Sequence, residues 1–155
     1  MGRFDETICD CCVGPMQCVL EQLTGKEIIF NTFGGSLCFP IMEVKNFIVS
    51  GEVFGGQKAT IPICNITTIR SLKDEQFTVN LKPIQKNNKG ECVCCENPIT
   101  NFTNSLPRGK EVSIRLFDQT VEGTIGDVGQ GLVIVEEENQ NVAISSCFIS
   151  FILTN

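Results

Sequence analysis

Ten cysteines dominate the chemistry open to this 155-residue chain. Six lie in two short clusters, Cys9-Asp10-Cys11-Cys12 and Cys92-Val93-Cys94-Cys95. Neighbouring cysteines in a short arm point apart, so they bond poorly to one another and are free to bond to other chains. Cys9, Cys11, Cys12, Cys92, Cys94 and Cys95 are therefore candidates for intermolecular disulfides. A second chemistry is metal binding. Zinc sites favour two residues between paired ligands, and C-x-C-C lacks that spacing. The same six thiolates, drawn from two arms, could still hold zinc or a cluster. A third chemistry, a reactive thiol, needs a basic neighbour to lower its pKa. Asp10 and Glu91 beside the clusters act in the opposite sense. Cys18, Cys38, Cys64 and Cys147 sit in apolar-patterned stretches and read as small core side chains.

Other chemistry is sparse. His, Trp and Tyr are absent, which removes the commonest general base and the commonest neutral-pH metal ligand. No Ser, Cys or carboxylate has a partner base that the sequence nominates, so no enzyme, catalytic residue or cofactor is expected. Gly34-Gly35, Gly55-Gly56 and the stretch from Gly126 to Gly131 precede no helix with a Lys-Ser or Lys-Thr pair, and read as turns. The net charge of −6 is the wrong sign for a phosphate backbone. Residues 1–10 (MGRFDETICD) lack the apolar stretch of a secretory leader, and no run is long enough to span a bilayer. A cysteine-rich chain made in the cytosol without an export signal is the expectation. That suits metal proteins, and proteins that cross-link only after release.

The elements that must position the cysteines come as a duplication. Residues 9–23 read CDCCVGPMQCVLEQL and residues 92–106 read CVCCENPITNFTNSL. Cys9, Cys11, Cys12, Pro15 and Leu23 match Cys92, Cys94, Cys95, Pro98 and Leu106 at an offset of 83. Gly25-Lys26-Glu27-Ile28 matches Gly109-Lys110-Glu111-Val112 at 84. After each arm, Pro suits the first turn of a helix. Met16, Val19, Leu20 and Leu23, and then Ile99, Phe102 and Leu106, recur at helical spacing. Alternation then predicts strands over 27–33, 37–44, 47–53, 59–63 and 67–71, and again over 112–117, 119–125, 132–138, 141–147 and 149–153. Residues 72–91 are polar, with one strand-like stretch, Gln76 to Leu81. The expected division is a cysteine-rich arm (1–14), a first domain (15–71), a linker with the second arm (72–97) and a second domain (98–155).

A short helix and five strongly bent strands, with Gly123 near the middle of the second, resembles the Sm-like (Hfq-like) fold. The closest stretches are Lys110 to Leu116, Val121-Glu122-Gly123, Leu132 to Val135 and Ile144 to Ile149, with Ile61 to Ile69 (IPICNITTI) in the first copy. The resemblance implies a mostly β chain of two tandem small Sm-like bent five-stranded barrels, each preceded by a Cys-rich arm and a short helix. Such barrels join edge to edge into rings, and the family binds RNA. Its Lys-His pair before the last strand is replaced here by Cys64-Asn65 and Ser145-Ser146. Of the aromatic side chains that could stack on bases, only Phe is present.

The segment CDCCVGPMQCVLEQL is similar to cysteine-rich proteins of bacterial spore surfaces: coat, exosporium and endospore appendages. Those are made in the mother cell without signal peptides and oxidise into insoluble assemblies. Together the resemblances imply a structural subunit of the spore surface. Its partner would be itself, in a six-fold or pseudo-six-fold stacked ring cross-linked into fibres or layers. Other spore-surface proteins would be further partners; no membrane and no nucleic acid are expected. Two geometries are open: the two copies alternate in one ring, or like copies form two rings stacked through the linker. The alternative function is a cytosolic ring-forming module that binds metal or RNA.

Overall fold

The computed structural model describes residues 13–84, 97–117 and 119–154. Both cysteine clusters, and so all six candidate disulfide residues, lie outside the described residues. The described chain is mostly β. Helix α1 covers residues 13–22. Val13, Met16, Val19 and Leu20 fall three or four apart on one of its faces, and all four are buried.

Six strands follow: β1 Glu27–Thr32, β2 Gly35–Pro40, β3 Glu43–Lys45, β4 Ile48–Glu52, β5 Lys58–Pro62 and β6 Ile66–Ser71, with a 3-10 turn at Ile63–Asn65 before β6. The second copy repeats the plan. Helix α2 covers Asn97–Ser105; then come β7 Glu111–Leu116, β8 Thr120–Gly129, β9 Leu132–Glu137, β10 Gln140–Ser145, a 3-10 turn at Ser146–Phe148, and β11 Ile149–Thr154.

The duplication extends to single hydrogen bonds. Gly25 N–H donates to Ile41 O and Ile41 N–H to Lys26 O; Gly109 N–H donates to Ile125 O and Ile125 N–H to Lys110 O. Gly25 and Gly109 both hold φ at 90°, a left-handed conformation that suits glycine. Strands β2 and β3, bent at Ile41 and Met42, match the single long strand β8, whose register slips between Ile125 and Asp127. The glycine-rich stretch read as a turn is therefore strand as far as Gly129, and the turn itself is Gln130-Gly131. Glycine serves close packing here. A Cβ on Gly123 would meet the Glu136 carbonyl oxygen and come within 2.8 Å of Val135 Cγ1. The first copy solves the same contact with the sizes exchanged: Phe39 stands opposite Gly51, where a Cβ would meet the Phe39 ring at 2.5 Å.

Eight strands form one antiparallel sheet in the order β11-β7-β8-β9-β10-β6-β1-β2, and β3-β4-β5 form a second. Neither sheet closes on itself. The two copies meet where β10 pairs with β6: Val142 with Arg70, Ala143 with Ile69, Ile144 with Thr68. One apolar cluster is built on α1 and the first copy, but it also takes Leu132, Ile134 and Ala143 from β9 and β10. The other holds the opposite faces of those strands, Val133, Val135, Val142 and Ile144. Strands β9 and β10 are thus buried on both sides, which explains their unbroken apolar runs.

The stretch read as linker begins as a packed strap. Residues 72–84 make no ladder, yet Phe77 and Val79 are buried in the first cluster with Leu81 against it. Two amide side chains clamp it. Asn141 of β10 accepts from Phe77 N–H at 3.1 Å and donates to Phe77 O at 2.7 Å. Gln22 of α1 accepts from Asn80 N–H at 2.8 Å and donates to Asn80 O at 2.8 Å. In α2 the buried side is polar: Thr100 and Thr103 face inward while Phe102 is 44% exposed. Thr103 Oγ1 returns its proton to Ile99 O at 2.7 Å, and Gly131 N–H donates to Thr100 Oγ1 at 3.3 Å.

Candidate assembly edges and thiols

A strand paired on one side leaves a row of N–H and C=O groups on the other. The edge of β2 runs on through Met42, whose N–H donates to Ser50 O, into β3, which pairs with β4. With β2 and β3 joined in this way, the run of paired strands among the described residues ends in β5 on one side and β11 on the other. Both are counterparts of strands that are paired inside the chain, β5 of β10 and β11 of β6, at an offset of 83. Burial records the difference. On β6 only Arg70 is not buried, while on β11 no residue is buried, and Phe151 and Leu153 are 51% and 59% exposed. All of β10 except Gln140 is buried, whereas β5 buries only Ala59 and Ile61.

The inner junction is finished with side chains. Arg70 of β6 pairs with Glu137 of β9, both about four-fifths shielded from solvent. Gln119, in the turn between β7 and β8, donates to Thr68 Oγ1 at 3.4 Å. Phe33, in the turn between β1 and β2, meets Phe148 edge to face with ring centroids 5.1 Å apart. Sequence reading missed these residues. The signal was available in the offset, which puts Phe151 and Leu153 in the places of Thr68 and Arg70.

The outer faces differ with their cover. The strap lies over β9 and β10, where Leu132, Ile134 and Ala143 stand. Their counterparts on β4 and β5 are Ile48, Ser50 and Thr60, which line an open groove of about 200 Å³ with Lys45 and Lys58. A larger groove, about 560 Å³, crosses β11, β7 and β8 between Glu111, Ser113, Glu122 and Leu153.

The four cysteines outside the clusters do not form core. Cys38 and Cys64 are exposed and free, and Cys18 is free and half-buried. Cys147 is disulfide-bonded. Cys64 and Cys147 occupy the middle of the two matching 3-10 turns, so the same position is a free thiol in one copy and a disulfide in the other. Although Cys38 is exposed as a residue, partial burial of its sulfur pushes the thiol up to about 11, helped by its hydrogen bond to Glu27 Oε2 at 3.3 Å and by that carboxylate's charge. Among the described residues no three His, Cys, Asp or Glu side chains come together as a metal site. The Ser145 and Ser146 hydroxyls are buried without a hydrogen-bond partner among the described residues. No described helix is long and apolar enough to cross a membrane. Compared with protein-family models, with curated proteins and with solved structures, the chain matches none.

Proposed function

We propose that this chain is a structural subunit that self-assembles into rings, and into stacked, disulfide-cross-linked fibres or layers on the bacterial endospore surface. The observation that carries the reading is the β6–β10 junction: two copies of one unit already join edge to edge, and the counterparts of those two strands, β11 and β5, are each paired on one side only. On this reading each half is an Sm-like barrel unit, its helix and bent strands occupying matched places. Exposed apolar side chains on an open edge strand are an aggregation liability in a monomer and an asset in an assembling subunit. The thiols add the covalent part. Cys64 is free and exposed, and Cys9, Cys11, Cys12, Cys92, Cys94 and Cys95 are the candidates for bonds between chains.

Negative-stain electron microscopy with and without reductant tests the proposal. Rings or fibres that resist denaturant until thiols are reduced are the expected result. Discrete particles indifferent to reductant would overturn it, and bound zinc or salt-sensitive RNA binding would then identify the cytosolic module instead.

A further inference from the structure

We propose that the chain assembles head to tail: β11 of one copy pairs antiparallel with β5 of the next, in the register that β6 and β10 hold inside the chain. This rests on the self-assembly reading and fixes its joint. The inner pairs Val142–Arg70, Ala143–Ile69 and Ile144–Thr68 carry over, at the offset of 83, to Ala59–Leu153, Thr60–Ile152 and Ile61–Phe151.

The side chains around the joint support the transfer, because they change in pairs. At the inner junction Arg70 meets Glu137. Their counterparts are Leu153 and Val53: both members have lost their charge together, and an ion pair becomes an apolar contact. At the inner junction Gln119 reaches Thr68. Their counterparts are Gly35 and Phe151: the large residue has moved to the other side, and glycine leaves the room that the ring needs. Phe33, which rests on Phe148 inside the chain, has Phe117 as its counterpart. Phe117 is 81% exposed, and in the joint it comes over Asn65 of the next copy's 3-10 turn. Two solvent-facing edges would have no reason to exchange charge and size in step.

The joint decides between the two geometries open to a duplicated chain. The copies of one chain already lie side by side in one sheet, not in separate layers tied by a linker. Head-to-tail growth therefore alternates first and second copies, the eight-stranded sheet of one chain joining the three-stranded sheet of the next. A β11 edge fits a β5 edge and not another β11, so the contact is heterologous and closes as a ring or runs on as a filament.

The test exchanges the chemistry of the two junctions, with sedimentation velocity read in reductant so that disulfides cannot hold chains together. V53E alone and L153R alone each bury one unpaired charge at the joint. Each should raise the concentration for half-assembly by tenfold or more, on the order expected for one unsatisfied charge. Mixed in equal amounts they should assemble clearly better than either alone, since joints between unlike chains are Arg–Glu or Leu–Val and only joints between like chains keep an unpaired charge. A mixture no better than its parts, or single variants that assemble normally, would overturn the joint while leaving self-assembly by another surface. Wild type that is monomeric in reductant but polymerises on oxidation also overturns the joint and leaves the reading of function standing. Wild type that is monomeric under both conditions overturns both. If V53E does not fold, amide exchange on the unaltered chain tests the same joint. Protection should rise on β5 and β11 with concentration, and unchanged exchange on either edge sinks the proposal.

Discussion

Cys38 is exposed and yet poorly reactive. Its thiol titrates near 11 against an ordinary 9.0, so it stays protonated at neutral pH and is a slow nucleophile. The folded state favours the protonated form. The stability this contributes is present below about pH 9 and is lost as the pH rises through about 11. Replacing Glu27 with Gln removes the carboxylate's charge but not the burial, which is the larger cause. Iodoacetamide labelling of Cys38 at pH 9, followed by mass spectrometry, should speed up several-fold in E27Q; an unchanged rate would remove Glu27 as a cause. Gly123 makes a packing claim at the same scale. Gly123→Ala drives a methyl into the Glu136 carbonyl and Val135, and should cost about 1–3 kcal/mol in urea unfolding. Sequence marked Gly123 as special for its place in a strand. It could not show that Gly51 and Phe39 hold the mirror arrangement, because that requires knowing which strands touch. Nor could it place Cys38 and Cys64 outside the core. An alternating pattern tells which residues share a face, not which face is covered.

At the scale of elements, the offset of the two copies was legible, and with it the helices and most strands, because glycines, prolines and alternation punctuate both copies alike. Two elements escaped. Strand β8 reads as ending where Gly126 begins, yet small residues there sit under Glu136 and against Leu81, so the strand continues where side chains could not fit. The strap reads as a strand because Phe77, Val79 and Leu81 alternate. At Phe77 and Asn80 its backbone is held by the side-chain amides of Asn141 and Gln22, a substitution of side chains for a ladder that no periodicity reveals. Asn141→Ala would leave both polar groups of Phe77 buried without partners. It should lower stability by about 2–4 kcal/mol in chemical denaturation, against little change for exposed Asn104→Ala. Equal effects would mean that the strap is not held through Asn141.

At the scale of the molecule, one junction makes a single sheet of two copies. The Arg70–Glu137 pair crosses it while partly shielded, a setting in which such pairs contribute more than on an open surface. A double-mutant cycle with Arg70→Ala and Glu137→Ala should give a coupling of about 1–2 kcal/mol. Coupling near zero would assign the junction to its ladder and apolar contacts alone. The same junction has a consequence during synthesis. Strand β6 cannot be covered until β10 emerges, and Arg70 meets Val142 72 residues later in the chain. At about 5–20 residues per second, a nascent first copy shows the bare β6 edge for about 4–15 s. A completed neighbour's β5 presents the kind of edge that β6 is waiting for. Chains made close together on one message can thus be caught by a finished neighbour before their own β10 arrives, so the spacing of ribosomes becomes a variable in how the protein folds.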